Sequence, residues 1–334
     1  MRVSITNIAS KAGVSVATVS RVINSSGYVN KQTRQKVLDA LAELNYRPNL
    51  VARSLATRQS NTIGLMIPHI ASVFFSSFAA AVEERADDLG YNVILTHTRE
   101  DCAREAKCLD MLINRQVDGI IATPVGHGVN YFVDVADRVP IVFAARKIEN
   151  IGISSVTVDN LAGSYRVVSH LIKQGFRDIG IITGPTVIST GRDRWLGAKR
   201  AMEENGLVID PQFVKEGDFT AEAGYRLMLE LLDSPVRLSA VYTANHMTTV
   251  GVLKALREQG LTVPGQMEVA SFEGFHDTVF DYLIVPKLTA NFHPTKEMAL
   301  SAVNMLVEQI QATKAGSDYI SKDVVLNTKL IVNS

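Results

Sequence analysis

Cysteine is nearly absent from this chain, with Cys102 and Cys108 the two examples in 334 residues. Six positions apart on a helical stretch, they fall on different sides, which excludes a disulfide framework; both read as reduced packing residues. No uninterrupted apolar run reaches the length of a membrane span, and the opening MRVSITNIASKAG lacks the apolar core of a secretory signal. The expectation is a cytoplasmic protein. Catalytic signatures are missing too. There is no Gly-rich phosphate loop ending in Lys-Ser/Thr and no G-x-S-x-G elbow, and GHGVN at Gly126 lacks the rest of a dinucleotide fingerprint. None of the seven histidines forms H-E-x-x-H or joins a His/Cys cluster. No catalytic residue, metal or cofactor is expected, and the chain reads as a binder.

What is present is a sizeable apolar fraction, 46%, enough for two or three packed domains, and a lopsided charge distribution inside a net charge of zero. Residues 1–60 carry nine basic side chains against Asp39 and Glu43, so this segment is +7 and the remainder is −7. That asymmetry points to a basic head for a polyanion and an acidic body with another task.

The head has the rhythm of a helix-turn-helix. Thr6 can cap a helix from Asn7 to Ala12 whose apolar side is Ile5, Ile8, Ala9 and Ala12. Gly13 follows where a sharp turn needs a residue without a Cβ. Ser15 can cap a second helix in which Val19, Val22 and Ile23 repeat at helical spacing and face inward. Val16, Ala17, Ser20, Arg21 and Asn24 fall on the opposite side, small and hydroxylated with one arginine. Such a face is slim enough for the major groove: Val16 or Ala17 can meet a thymine methyl and Arg21 can pair with guanine. The alternative is an ordinary surface helix of a small bundle. A third helix begins after Asn30, with Val37, Leu38, Leu41 and Leu44 as its packing stripe. Beyond Pro48 and Asn49 a short helix from Leu50 to Ala56 is expected to form only against a partner or on DNA, because two turns are marginal alone.

From Thr62 strands and helices alternate: TIGLMIP, the helix marked by Phe75, Phe78, Val82, Ala86 and Leu89, NVILTHT, a helix from Asp101 to Arg115, GIIATP, then PIVFAA. The rhythm resumes with DIGIITGP, Arg194–Asn205, Phe213–Glu216, Ala221–Leu232, SAVYTA, a helix through MTTVGVLKALREQG, and MEVASF. Alternation of this kind implies parallel sheets covered by helices, with ligands beyond the carboxyl ends of the strands. The length fits two such units with a cleft between them.

A basic helix-turn-helix head, a short hinge and a two-lobed body together resemble the lactose/galactose repressor (LacI/GalR) family. AGVSVATVSRVIN is similar to that family's recognition segment, YRPNLVARSLATRQSNTIG to its hinge, and HLIKQGFRDIGIITGP, RWLGAKRAM and VPGQMEVASFEGF to its second lobe. The resemblance spans essentially the whole chain. It implies a small all-α helix-turn-helix head at 1–46, a hinge helix and linker at 47–61, and an α/β periplasmic-binding-protein-like body of two parallel-sheet lobes at 62–334. The lobes would comprise about 62–158 with 290–318, and about 159–289 with 319–334. It further implies a sequence-specific transcriptional regulator, a repressor whose hold on pseudo-palindromic operator DNA is set by a small-molecule effector in the cleft. A sugar is expected; the alternative is a purine or sugar-phosphate co-repressor in the same architecture. A cytoplasmic, nucleoid-associated homodimer follows, since VVLNTKLIVNS shows no heptad extension for a coiled-coil tetramer.

Residue roles also follow from the resemblance. Val16, Ala17 and Arg21 would read bases, Thr18 and Ser20 would touch phosphates, and Leu55 would wedge into the minor groove at the operator centre, or else pack the hinge. Arg53 would pack or contact phosphate. Thr6, Ser15, Asn24 and Asn49 complete the expected DNA-binding set. Arg194 would hold effector hydroxyls or a carboxylate by its fork of donors. Phe74 and Phe219 would lie on the ligand face, with Arg99, Arg146, Asn245 and Glu273 as further contacts. Three positions depart from the family pattern: His246 stands where an aspartate is usual, Glu273 lengthens a ligand-binding carboxylate, and Ala145 before Arg146 removes another acid.

Overall fold

A computed structural model describes residues 4–23, 27–46, 59–126, 129–235, 237–274 and 288–332. The chain divides into two compact units, Met1–Ser60 and Asn61–Ser334. The expected hinge helix over Leu50–Ala56 lies outside the described residues, as do Asn24, Asn49, Arg53 and Leu55.

The described residues of the first unit form three helices, α1 (Ile5–Ala12), α2 (Val16–Ile23) and α3 (Lys31–Glu43). Helix α1 starts earlier than expected, because Ser4 rather than Thr6 caps it, in a capping box closed by Asn7. Gly13 ends it at φ 67°, the left-handed turn that a Cβ would penalise, and its N–H closes on Ala9 and Ser10 carbonyls. Ser15 Oγ accepts the Thr18 N–H at 3.1 Å, opening α2 as expected. Asn30 caps α3 through Thr33 N–H at 2.8 Å. Ile8, Ala9, Val19, Val22, Val37 and Ala40 form the buried core. Leu38 does not join it and is 44% exposed. At 100° per residue, positions 37, 40, 41 and 44 share one face, and 38 lies a quarter-turn away.

The second unit holds two six-stranded sheets. The first sheet contains β1 (Thr62–Ile67), β2 (Asn92–His97), β3 (Gly119–Ala122), β4 (Ile141–Ala144), β5 (Ser154–Val158) and β11 (Asp323–Leu326), in spatial order β11-β5-β4-β3-β1-β2 and all parallel. Helices α4 (Val73–Asp88), α5 (Cys102–Asn114), α6 (Val129–Ala136) and α11 (Thr295–Ala315) belong to this lobe. The other sheet contains β6 (Ile179–Thr183), β7 (Val214–Glu216), β8 (Ala240–Thr243), β9 (Glu268–Ser271), β10 (Thr289–Phe292) and β12 (Lys329–Ile331), in order β12-β10-β9-β8-β6-β7. Only β12 is antiparallel to its neighbour among these pairs. Its helices are α7 (Asn160–Lys173), α8 (Ser189–Glu204), α9 (Ala221–Leu232) and α10 (His246–Glu258).

Central strands buried on both sides read as unbroken apolar runs, as IVFA and IGIIT do, because helices cover both faces of a parallel sheet. The lobe boundaries differ from expectation at the C-terminal end. Strand β10 adds to the second lobe's sheet, so the return to the first lobe falls at 293–294 and not at 290. Strand β11 pairs with β5, so the last crossing falls at 327–328 and not at 319. Among the described residues the backbone therefore passes between lobes three times, near 159, 293 and 327. Helix α8 begins at Ser189, ahead of the expected Arg194, without a side-chain cap. Cys102 is exposed rather than packed, while Cys108 is half-buried; both are free thiols.

Candidate functional site

The head presents its α2 face as the spacing predicts. Val16 is 42% exposed, Ala17 and Arg21 are exposed, and Ser20 and Thr18 are half-buried. Thr18 is tied back, its hydroxyl 2.9 Å from Ser15 Oγ. Thr6 is exposed on α1. Branched Val19 and Val22 behind this face fix the helix against α1 and α3, so the small outward residues stand on a rigid base.

In the second unit a cavity of about 170 Å³ opens between the lobes at the carboxyl ends of the strands. The first lobe contributes His69, Ser72, Phe74, Glu100 and Arg146; the second contributes Thr190, Arg194, Phe219, Thr220, Asn245 and Glu273; His293 stands at the crossing between them. Six of the seven expected effector residues thus meet in one place. Arg99 is exposed and is not among the lining residues.

Parallel topology explains the gathering, since the carboxyl ends of the parallel strands and the N-termini of helices that follow them lie at the same edge of each sheet. Ser72, Thr220 and Asn245 are the N-caps of α4, α9 and α10, and all three line the cavity. Asn245 is used at both ends: Oδ1 accepts Thr248 N–H at 2.9 Å and Nδ2 donates to the Phe219 carbonyl at 3.1 Å. Three lining residues take left-handed backbone, Glu100 (φ 57°), Ala145 (φ 66°) and Phe219 (φ 67°), a conformation that side-chain-bearing residues hold only where the surroundings enforce it. Phe219 is enforced partly by Gly184: a Cβ there would lie 2.0 Å from the ring.

The floor is a buried polar network. Arg194 Nε donates to Asn160 Oδ1 at 2.9 Å, and Nη1 donates to the Ala244 carbonyl at 2.6 Å and to Glu273 Oε1 at 2.9 Å. Its guanidinium lies 3.8 Å over the Phe272 ring. The other oxygen of Glu273 meets His246 Nδ1 at 2.7 Å. Burial opposes ionisation of Glu273, yet Arg194 and the His246 contact outweigh it and hold the carboxyl well below the usual carboxylate range. Two departures noted in the sequence are therefore one arrangement: the longer Glu273 reaches the imidazole that replaces an acid. The third is answered in space, because Arg146 forms a bidentate pair with Glu100 at 2.7 and 2.8 Å. Arg146 also faces the Phe219 ring at 5.4 Å, lobe to lobe.

Sequence reading missed Ser72, Glu100, Thr190, Thr220 and His293. Ser72 and Thr220 carry a legible signal, a hydroxyl just before a helical period that follows a strand. Glu100 and His293 carry none. Near the cavity, Glu105 is buried and its carboxylate accepts Val125 N–H at 2.7 Å; burial lifts its pKa to about 7. Among the described residues no group of His, Cys, Asp and Glu is arranged to hold a metal ion, and no helix is long and apolar enough to cross a membrane.

Comparison with known proteins finds the same two parts. Residues 4–49 match the family described as bacterial regulatory proteins, lacI family, and residues 60–328 match periplasmic binding proteins and sugar binding domain of LacI family. The chain is 34% identical over 311 residues to the HTH-type transcriptional regulator RegA of Clostridium saccharobutylicum, covering 92% of each. Among solved structures, the lac repressor dimer bound to operator and the anti-inducer ONPF matches with a TM-score of 0.85 at 28% identity, over 99% of this chain and 98% of that one. The complex of the transcriptional regulator CelR with cellobiose matches with a TM-score of 0.73 at 28% identity, over 99% of both.

Proposed function

This chain belongs to the LacI family of bacterial DNA-binding transcriptional regulators, and from that premise we propose that it is a cytoplasmic homodimeric repressor released from, or fixed to, its operator by a sugar-like effector bound between the lobes. The observation that carries this reading is the cavity itself. Residues of both lobes line one polar and aromatic site, and two of the backbone crossings adjoin it through Val158 and His293. A ligand that favours one lobe arrangement shifts the equilibrium by its difference in affinity for the two, and a coupling of about 1–3 kcal/mol is typical. The head supplies the other half: Val16, Ala17 and Arg21 read base edges while Thr6, Ser15, Thr18 and Ser20 hold the phosphates on either side. Two-fold symmetry would place two such helices on half-sites one helical turn or a multiple apart.

The experiment that tests it separates the two sites. Arg21→Ala should reduce operator affinity toward that for random duplex, a loss of roughly 1–3 kcal/mol per lost base contact, while a sugar's binding heat stays unchanged. Equal loss of both activities would argue against separate sites.

A further inference from the structure

The charged groups facing the cavity are two guanidiniums, Arg146 and Arg194, against three carboxylates, Glu100, Glu222 and Glu273. Each cation already has a carboxylate partner. Arg146 is held by both oxygens of Glu100, and Arg194 by Glu273 and the Ala244 carbonyl. Three of the helix N-termini at the cavity are taken as well, while those of α8 and α11 carry no side-chain cap. Ser72 and Thr220 cap α4 and α9, and Glu273 Oε2 sits on the first N–H of α10, at 3.5 Å from His246 N. An anionic group entering here meets excess negative charge and no uncompensated cation.

One lining group has no hydrogen-bond partner for its ring. His293 is 8% exposed, and neither ring nitrogen makes a hydrogen bond. Its Nε2 stands 3.9 Å from Glu273 Oε1, beyond hydrogen-bond range. The ring is clamped between Phe74 and Phe272, with centroids 5.2 and 5.3 Å away. Burial pushes its pKa down to about 4, so near neutral pH it offers one donor and one acceptor. Leaving such a group dry and unpaired carries a desolvation penalty that a bound hydroxyl would relieve. A hydroxyl both donates and accepts; a phosphate or carboxylate only accepts.

Building on the cleft assignment above, we propose that the effector is an uncharged, hydroxyl-bearing ring compound, a neutral sugar and not a sugar phosphate or sugar acid, and that His293 is the side chain that reads its hydroxyl pattern. Phe74 and Phe219 flank the apolar faces of the ring, and the crossing at 293–294 ties that contact to the angle between the lobes.

The test is calorimetric titration of the full chain with matched pairs: ribose and ribose 5-phosphate, glucose and glucose 6-phosphate, glucose and gluconate, and cellobiose and cellobionate, with hypoxanthine as a neutral non-sugar. The expected result is one binding sugar whose anionic partner binds at least about tenfold more weakly. Glu100→Gln, which uncovers Arg146, should narrow that gap. His293→Phe should weaken the sugar at least about tenfold with an unchanged melting temperature, and His293→Gln, which keeps a donor and an acceptor, should stay within about threefold of the parent. Tighter binding of an anionic member, or of hypoxanthine alone, would overturn the proposal and leave the cleft as the effector site. Undiminished sugar binding by His293→Phe would overturn the role of His293. No heat from any compound would overturn the cleft assignment, and the proposal with it.

Discussion

At the scale of single residues the body is organised around charges that are buried only in pairs. Arg194 is 4% exposed and Glu273 8%, and each is the other's main compensation. Arg194→Ala leaves a buried carboxylate with His246 alone and should destabilise the second unit by about 3–5 kcal/mol, read as a lowered urea midpoint. An unchanged midpoint would mean that water already screens the pair. Glu105 allows a prediction with a definite sign. It ionises near 4.5 in an unfolded chain and near 7 in the fold. Between those values the folded state keeps a proton that the unfolded state has lost, so stability falls as pH rises through the window and levels above it. Glu105→Gln preserves an acceptor for Val125 N–H and removes the fall; melting temperatures at pH 5 and 8 should lie closer together than in the parent. A wider difference would contradict the assignment. These pairs were only partly legible in the sequence. The departures at His246 and Glu273 were visible one by one, but that they touch depends on β9 lying beside β8, a pairing the spacing alone does not state.

Elements tell a similar story. Helix α9 ran from Ala221 to Leu232 in both sequence and structure, because Thr220 caps it and the apolar period is clean. Helix α8 starts earlier than the sequence suggests: Ser189, Thr190 and Gly191 are weak helix formers and no side chain caps them, yet tertiary packing extends the helix through them. The C-terminal strands β11 and β12 are three or four residues long and half-exposed, too short for alternation to register, so the crossing between them stayed hidden. The site inherits its precision from such joints. Gly184 ends β6 where the Phe219 ring presses against it. Gly184→Ala should drive the ring toward the cavity and weaken a bound sugar by about tenfold while the circular dichroism of the helices is unchanged. Affinity equal to the parent would show that Phe219 has room to move elsewhere. In the head, Gly13→Ala places a Cβ at φ 67° and should lower the melting of that unit by about 1 kcal/mol, without touching ligand binding.

For the whole molecule, the charge division read from the sequence, +7 over residues 1–60 against −7 beyond, now falls on two separate compact units. The sequence reading puts the start of the body at Thr62, because composition, charge and hydrophobic period all change there together. The cleft was visible only in outline, since no sequence pattern reports which loops of two sheets will face each other. One body binds DNA and the other senses a small molecule, and the claim that joins them is thermodynamic. The most direct measurement is operator affinity by fluorescence anisotropy at fixed salt, with and without a saturating sugar from the calorimetric panel, for the parent chain and for Arg194→Ala. The account predicts that the sugar changes the parent's operator affinity by about 5–150-fold and leaves the variant's unchanged. A sugar that binds the parent tightly yet leaves its operator affinity where it was would contradict it.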